Sequence, residues 1–153
     1  MKLAEILREQ CIIADIKGKT KREIIAELVE TLEKTRLIED VETVVNVVME
    51  REKLGSTGIG NGVAVPHGKL KNINNIMCAL GRSQKGVDFD AVDRGLVHIF
   101  FLVLAPEDSA SLHLKVLSRI TKILRDQSLR KKVIKLSNTH DIYMSILEED
   151  EKI

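Results

Sequence analysis

The side chains best suited to chemistry gather between Arg51 and Lys69, in the stretch REKLGSTGIGNGVAVPHGK. His67 closes it, held between Pro66 and Gly68 after the apolar triplet Val63-Ala64-Val65, which reads as a short strand stopping at Pro66. Proline lacks the N–H that a ladder needs and fixes φ, so the imidazole is expected at a rigid strand end, with Gly68 leaving one side of it uncrowded. A histidine held in this way suits a nucleophile that meets a bulky electrophile carried by another protein. The competing reading is a histidine that fills a turn by bonding its own backbone.

Four of the nine glycines, Gly55, Gly58, Gly60 and Gly62, fall just ahead of His67, and Gly68 follows it. Backbone of this kind can take positive φ, approach a ligand closely and aim several N–H groups at an anion. Two nucleotide readings weaken at once. No Gly-Lys-Ser/Thr follows, as a P-loop requires, and an amphipathic helix rather than a strand precedes the glycines, unlike a dinucleotide fingerprint.

Two further residues could serve the same site. Arg51 falls at the end of a helix, at the shoulder of its buried stripe beside Val44, Val47 and Val48, where its guanidinium could lean over the glycines; the alternative is a cation that complements a helix C-terminus. His113 is expected near the first turn of a later helix, in line with Val116, Leu117, Ile120 and Leu124; by pattern alone it is a partly buried histidine, and its place at a helix N-terminus, where an anion is favoured, could also let it line an anion pocket. His98 reads as structural or solvent-facing, and no role is assigned to His140.

The elements that must hold these residues follow from periodicity. Leu3 to Leu7 suggests a short helix, Cys11 to Ile16 a first strand, and Thr20-Lys-Arg-Glu23 a capping box ahead of Ile24, Ile25, Leu28, Val29 and Leu32. A second helix starts after Asp40. Ile76 to Arg82 reads as a strand and Gly86 to Gly95 as an exposed connection. Val97 to Ala105 is nearly continuous in apolar residues, as in a central strand covered on both faces. Pro106 ends it, and helices follow from Ser109, over Leu129 to Leu136 and over Asp141 to Leu147, the last trailing into an acidic, solvated end. The expected fold is α/β, a three-layer α/β/α arrangement with a mixed central β-sheet, in a single domain over residues 1–153.

Composition narrows the function. The 24 basic and 23 acidic side chains leave a net charge of +1, and aromatic residues are 3%, so the basic, stacking face of a nucleic-acid binder is not expected. Cys11 and Cys78 lie in apolar runs without CxxC spacing and read as buried free thiols of a reducing compartment. No run reaches a membrane span and MKLAEILREQ is too charged for a signal peptide, so no direct membrane insertion and a cytoplasmic location are expected.

Arg51-Glu52, Gly55-Ser-Thr-Gly-Ile-Gly-Asn-Gly62, Val65-Pro-His-Gly68 and His98-Ile-Phe-Phe-Leu-Val-Leu-Ala-Pro106 with Leu112-His113-Leu114 form a pattern. It resembles the enzyme IIA domain of the fructose/mannitol class in the bacterial phosphoenolpyruvate-dependent phosphotransferase system, and within it the stand-alone nitrogen-regulatory IIA proteins. The resemblance implies a phosphoryl carrier, a phosphotransferase component rather than a free-standing turnover enzyme, that needs no cofactor and no metal. It makes His67 the phosphohistidine, places His113 and Arg51 in its pocket, and surrounds them with Gly55, Ser56, Thr57, Gly58, Gly60, Gly62 and Gly68. It also suggests the ε nitrogen as the phosphorylated one. One departure is that many members have Gly-x-Pro-Val entering the central strand, where this chain has Gly95-Leu96-Val97.

The partners implied are an HPr-like phosphocarrier as donor and a IIB protein or regulatory target as recipient. Two functions stay open. One is a regulator whose surface docks on a target in one phosphorylation state, because an added dianion penalises an unmatched partner; the stand-alone length favours it. The other is a relay that passes the phosphoryl group to a separate IIB protein of a sugar permease. A third reading, a small-anion or metal site for hydrolysis, lacks ligand spacing among the histidines and a carboxylate pair.

Overall fold

The computed structural model describes residues 1–153. After a single 3-10 turn at Leu3–Glu5 the elements run β1 (Leu7–Ile13), α1 (Lys21–Lys34), α2 (Val41–Lys53), β2 (Gly58–Gly60), β3 (Val63–Ala64), β4 (His67–Leu70), β5 (Met77–Val87), β6 (Val97–Pro106), α3 (Ala110–Leu124), α4 (Gln127–Lys135) and α5 (Thr139–Glu151). The six strands form one mixed sheet in the order β1-β5-β6-β3-β2, with β4 also paired to β6. Only the β5–β6 and β2–β3 pairs are antiparallel.

β6 organises the molecule. Its side chains alternate between two cores: Ile99, Phe101, Val103 and Ala105 meet α3, α4 and α5, while Phe100, Leu102 and Leu104 meet α1 and α2. Each core gathers 21 buried residues, so both faces of the sheet are fully covered, the three-layer arrangement that an uninterrupted apolar strand requires. The starts of α1 and α2 agree with their sequence signals, while α4 and α5 begin two residues ahead of the expected Leu129 and Asp141 and Ser109 precedes α3 without a side-chain cap. Thr20 accepts the Glu23 N–H while the Glu23 carboxylate accepts the Thr20 N–H, and Asp40 accepts the Thr43 N–H.

Several boundaries differ from expectation. The first strand begins at Leu7, four residues early, because β1 lies at the sheet edge, where Arg8 and Gln10 can face water without leaving the ladder. β5 runs on to Val87, past the expected end at Arg82. The connection after it is not uniformly exposed: Phe89 is wholly buried, edge-on to Phe100 at 5.3 Å. The C-terminal end is not merely solvated either. α5 continues to Glu151, and the buried Asp150 carboxylate accepts the Leu3 N–H at 2.8 Å and pairs with Arg119, joining the two ends of the chain.

Pro66 does not end the sheet; it interrupts it. β3 pairs with β6 through Val63 and Ala64, and β4 resumes against the same strand with His67 opposite Val103. Pro66 cannot donate, but its carbonyl accepts the Val103 N–H at 3.0 Å, so the ladder crosses the gap. His67 therefore opens a strand instead of closing one, stiffened from both sides.

Candidate functional site

The His67 ring lies on the α3 face of β4, half-buried, and its Nδ1 is 2.9 Å from the carbonyl of Val65. A carbonyl only accepts, so Nδ1 carries the proton and Nε2 holds the free lone pair. Burial pushes the His67 pKa below its ordinary value; the Val65 carbonyl opposes this, the Arg51 charge adds to it, Glu52 opposes and Lys69 adds. At neutral pH the ring is uncharged and nucleophilic.

His113, in the first turn of α3, meets the His67 ring edge-on, with centroids 5.3 Å apart and planes at 78°. It is 4% exposed, and its Nε2 is buried without a hydrogen-bond partner. Burial, then the neighbouring His67 and Lys69, lowers its pKa to about 4, so it too is neutral. A buried polar atom left unpaired in this way is unusual and marks a place that a ligand atom can fill.

Arg51, at the last turn of α2, donates from Nη1 to the Gly55 carbonyl at 2.9 Å. It thus leans over the glycine stretch as expected. Arg51, Ser56, Thr57, Ile59, Val65, His67, Leu117 and Thr121 border one shallow cavity of about 170 Å³. A larger cavity of about 660 Å³ opens past the far end of β4, among Arg8, Arg36 and Asn72 to Met77, but none of His67, His113 and Arg51 touches it. Arg51 and His67 mark the smaller cavity as the candidate site, with His113 packed on the His67 ring outside its lining.

The glycines divide by role. Gly60, Asn61 and Gly62 have φ of 95°, 57° and 77° and turn the β2–β3 hairpin, an Asn-Gly turn of the kind that favours positive φ at both central residues. Gly58 lies against Ala91, where a Cβ would come within 2.9 Å. Gly68 does not open space beside the imidazole. It faces α2, where a Cβ would meet Val47 at 3.0 Å and Val48 at 3.3 Å, and so lets β4 pack tightly on that helix. The expected fan of N–H groups is largely spent within the loop: Gly55 donates to Glu52 O, Thr57 to the Glu52 carboxylate, Gly58 to Ser56 Oγ and Asn61 to Asp93.

Two residues to which the sequence assigned no role shape this end of the molecule. Glu52, 5% exposed, anchors Thr57 and pairs with Lys21 of α1 at 2.9 Å. Asp93 ties the segment before β6 to the hairpin by accepting from Asn61 and Gly95. Each also has one partner from a distant part of the chain, Lys21 for Glu52 and Asn61 for Asp93, and no spacing in the sequence announces that pairing. The remaining histidines lie apart: His98 Nδ1 bonds the Ser83 carbonyl at 2.9 Å, and His140 pairs with Glu9 at 2.8 Å.

Residues 5–149 match the family described as phosphoenolpyruvate-dependent sugar phosphotransferase system, EIIA 2. The chain belongs to that family. Among curated relatives, this EIIA protein is 35% identical over 144 residues to a nitrogen regulatory protein of Bradyrhizobium diazoefficiens, covering 94% of this chain and 93% of that one. It is 33% identical over 152 residues to the fructose-specific EIIABC component of Bacillus subtilis, where the match covers 99% of this chain and only 24% of the relative. The nitrogen regulatory protein IIA-Ntr of Neisseria meningitidis superposes with a TM-score of 0.87 at 31% identity, covering 94% of this chain and 98% of that one. The fold extends to IIA mannitol of Escherichia coli, solved in complex with phosphorylated IIB mannitol, with a TM-score of 0.79 at 22% identity over 94% of this chain and 99% of that one. No helix of this EIIA protein is long and apolar enough to cross a membrane.

Proposed function

We propose that this protein carries a phosphoryl group on Nε2 of His67, taken from a phosphohistidine of an HPr-like donor, and that the charge so acquired controls its binding to a target protein. The observation that carries the first half is the bond from His67 Nδ1–H to the Val65 carbonyl, which leaves Nε2 as the available lone pair. In the transfer, that lone pair forms a P–N bond as the donor's P–N bond breaks, and the bonding pair returns to the donor's nitrogen. The His67 proton stays on Nδ1 throughout.

Phosphoryl transfer asks mainly for alignment and for stabilisation of charge on the equatorial oxygens. Alignment comes from β4, fixed on β6 and packed on α2. Charge stabilisation falls to Arg51, whose remaining N–H groups are free of the Gly55 bond, and to His113, whose unpaired Nε2 can donate in the appropriate tautomer. Exposed Leu54, Ile59 and Leu114 offer apolar surface for a protein partner in the segments flanking the site.

Regulation is supported by near end-to-end similarity to nitrogen regulatory proteins. A cytoplasmic location fits both a phosphocarrier donor and a regulatory target. The second reading, relay to a separate IIB protein of a fructose/mannitol-type permease, is supported by the fructose-specific relative and by the IIA–IIB complex of the mannitol system.

Intact mass after incubation with phosphoenolpyruvate, enzyme I and HPr tests the carrier role. One acid-labile phosphoryl group on the native chain, absent from His67→Ala, is expected. A folded native chain that stays unmodified would overturn the reading. Rapid discharge of the phosphorylated chain to a purified IIB protein would favour relay over regulation.

A further inference from the structure

Glu52 takes a position that a carboxylate occupies only when well paired, 5% exposed at the last turn of α2 and next in sequence to Arg51. Its oxygens accept the Thr57 N–H at 3.1 and 3.3 Å, the Thr57 hydroxyl, and Lys21 Nζ at 2.9 Å. Lys21 in turn lies 5.1 Å over the Phe89 ring. Both donors of Thr57 are therefore turned inward, although Thr57 borders the cavity.

The rest of the loop is satisfied as well. Gly55 donates to Glu52 O at 3.1 Å and Gly58 to Ser56 Oγ at 3.0 Å, while the Ser56 hydroxyl donates to Phe89 O at 3.1 Å. One N–H between Gly55 and Gly58 remains. That of Ser56 has no acceptor in the chain, and Ser56 borders the cavity together with His67 and Arg51. An unpaired main-chain donor on a residue that shares the cavity of the nucleophile, in a loop whose neighbouring N–H groups are all paired, has the character of a reserved donor.

We propose that the Ser56 N–H is the main-chain donor that receives an equatorial oxygen of the phosphoryl group on His67, and that Glu52 is the positioning residue that reserves it by holding both Thr57 donors out of the pocket. This assignment rests on His67 as the phosphoryl carrier. The carboxylate suits the task because it accepts from Thr57 and Lys21 together. In Glu52→Gln an amide NH2 would face either Lys21 or Thr57, a donor against a donor, and the loop would lose one side of its anchor.

Amide proton and nitrogen shifts of the full-length protein, recorded before and after phosphorylation, test this. The Ser56 amide proton is expected to move downfield more than those of Gly55, Thr57 and Gly58, with Thr57 unchanged. In Glu52→Gln that selectivity is expected to disappear, with the Thr57 amide also moving and phospho-His67 hydrolysing faster. A phosphorylated native chain whose Ser56 amide stays in place, or whose Thr57 amide moves instead, overturns the assignment alone. A chain that mass spectrometry shows takes up no phosphoryl group overturns the carrier reading and the assignment with it. The native comparison stands even if Glu52→Gln does not fold.

Discussion

His67 and His113 meet ring edge to ring face at 5.3 Å, the first bonded through Nδ1 to its own main chain and the second with a buried nitrogen bonded to nothing. The pair is asymmetric by construction: one imidazole has its reactive nitrogen chosen for it, and the other awaits a partner. A phosphoryl group on His67 would supply that partner. His113→Gln is therefore expected to slow phosphoryl uptake on the order of 10²-fold, the usual cost of removing one donor to developing charge. Peptide mass analysis should still find the label on His67. A variant that accepts the group at the native rate would remove His113 from the mechanism.

The rate of uptake should depend on pH through His67. Only the neutral ring attacks, and burial with the Arg51 charge holds its pKa below the ordinary 6.5. The acid limb of a single-turnover pH profile is accordingly expected to bend below pH 6.5. Arg51→Gln should move that bend upward while lowering the plateau. A bend at or above 6.5 in the native protein would mean that burial and the Arg51 charge do not govern the His67 ring.

Stability should fall on the acid side for a related reason. The His113 pKa lies near 4 in the folded chain and near 6.5 when unfolded, so the unfolded state binds the proton first. The contribution is complete above about 6.5 and is lost as pH falls towards 4. His140 has the opposite sign, because Glu9 raises its pKa: it stabilises below 6.5 and stops doing so as pH rises through its folded value. Urea midpoints at pH 7 and pH 4.5 should differ less in His113→Gln than in the native chain.

Gly68→Ala is expected to destabilise by about 1–3 kcal/mol, since the added methyl meets Val47 and Val48 across a tight β4–α2 contact. Because β4 carries His67, phosphoryl uptake should slow as well. Thermal melting together with a labelling time course would separate the two effects. An unchanged melting temperature would mean that α2 yields more readily than its packing indicates.

Arg82 supplies a contrasting case far from the chemistry. Buried to 3% exposure, it donates to the carbonyls of Ala14, Val133, Ile134 and Leu136, binding the end of α4 to the strand layer without a carboxylate partner. Arg82→Met should cost on the order of 3 kcal/mol, the scale of losing charge-assisted bonds to buried acceptors. Labelling of His67 below the melting transition should be unaffected.

Periodicity and capping made the layers legible in advance. Thr20 to Glu23, Asp40 and the apolar run of β6 each specify their element by local chemistry, and each is found where its signal lies. The Arg51–His67–His113 grouping was also legible, once a long motif supplied the pairing. What the pattern could not convey was the destination of each glycine. Asn61-Gly62 is a hairpin signal embedded in a stretch that reads as an anion loop, and Gly68 is small because of Val47 and Val48, which precede it by some twenty positions. The burial of Glu52 and Arg82, at a helix end and within a strand, depends on partners that the assembled fold brings to them.

The acceptor that fixes the His67 tautomer is a main-chain carbonyl. Replacing Val65 changes the side chain and leaves that oxygen in place, so no single substitution there deletes the group that leaves Nε2 with the free lone pair. The choice of nitrogen is thus written into the path of the backbone between β3 and β4. It can drift only if the strand itself moves, and the side chains of the pocket are free to diversify towards new partners without disturbing it.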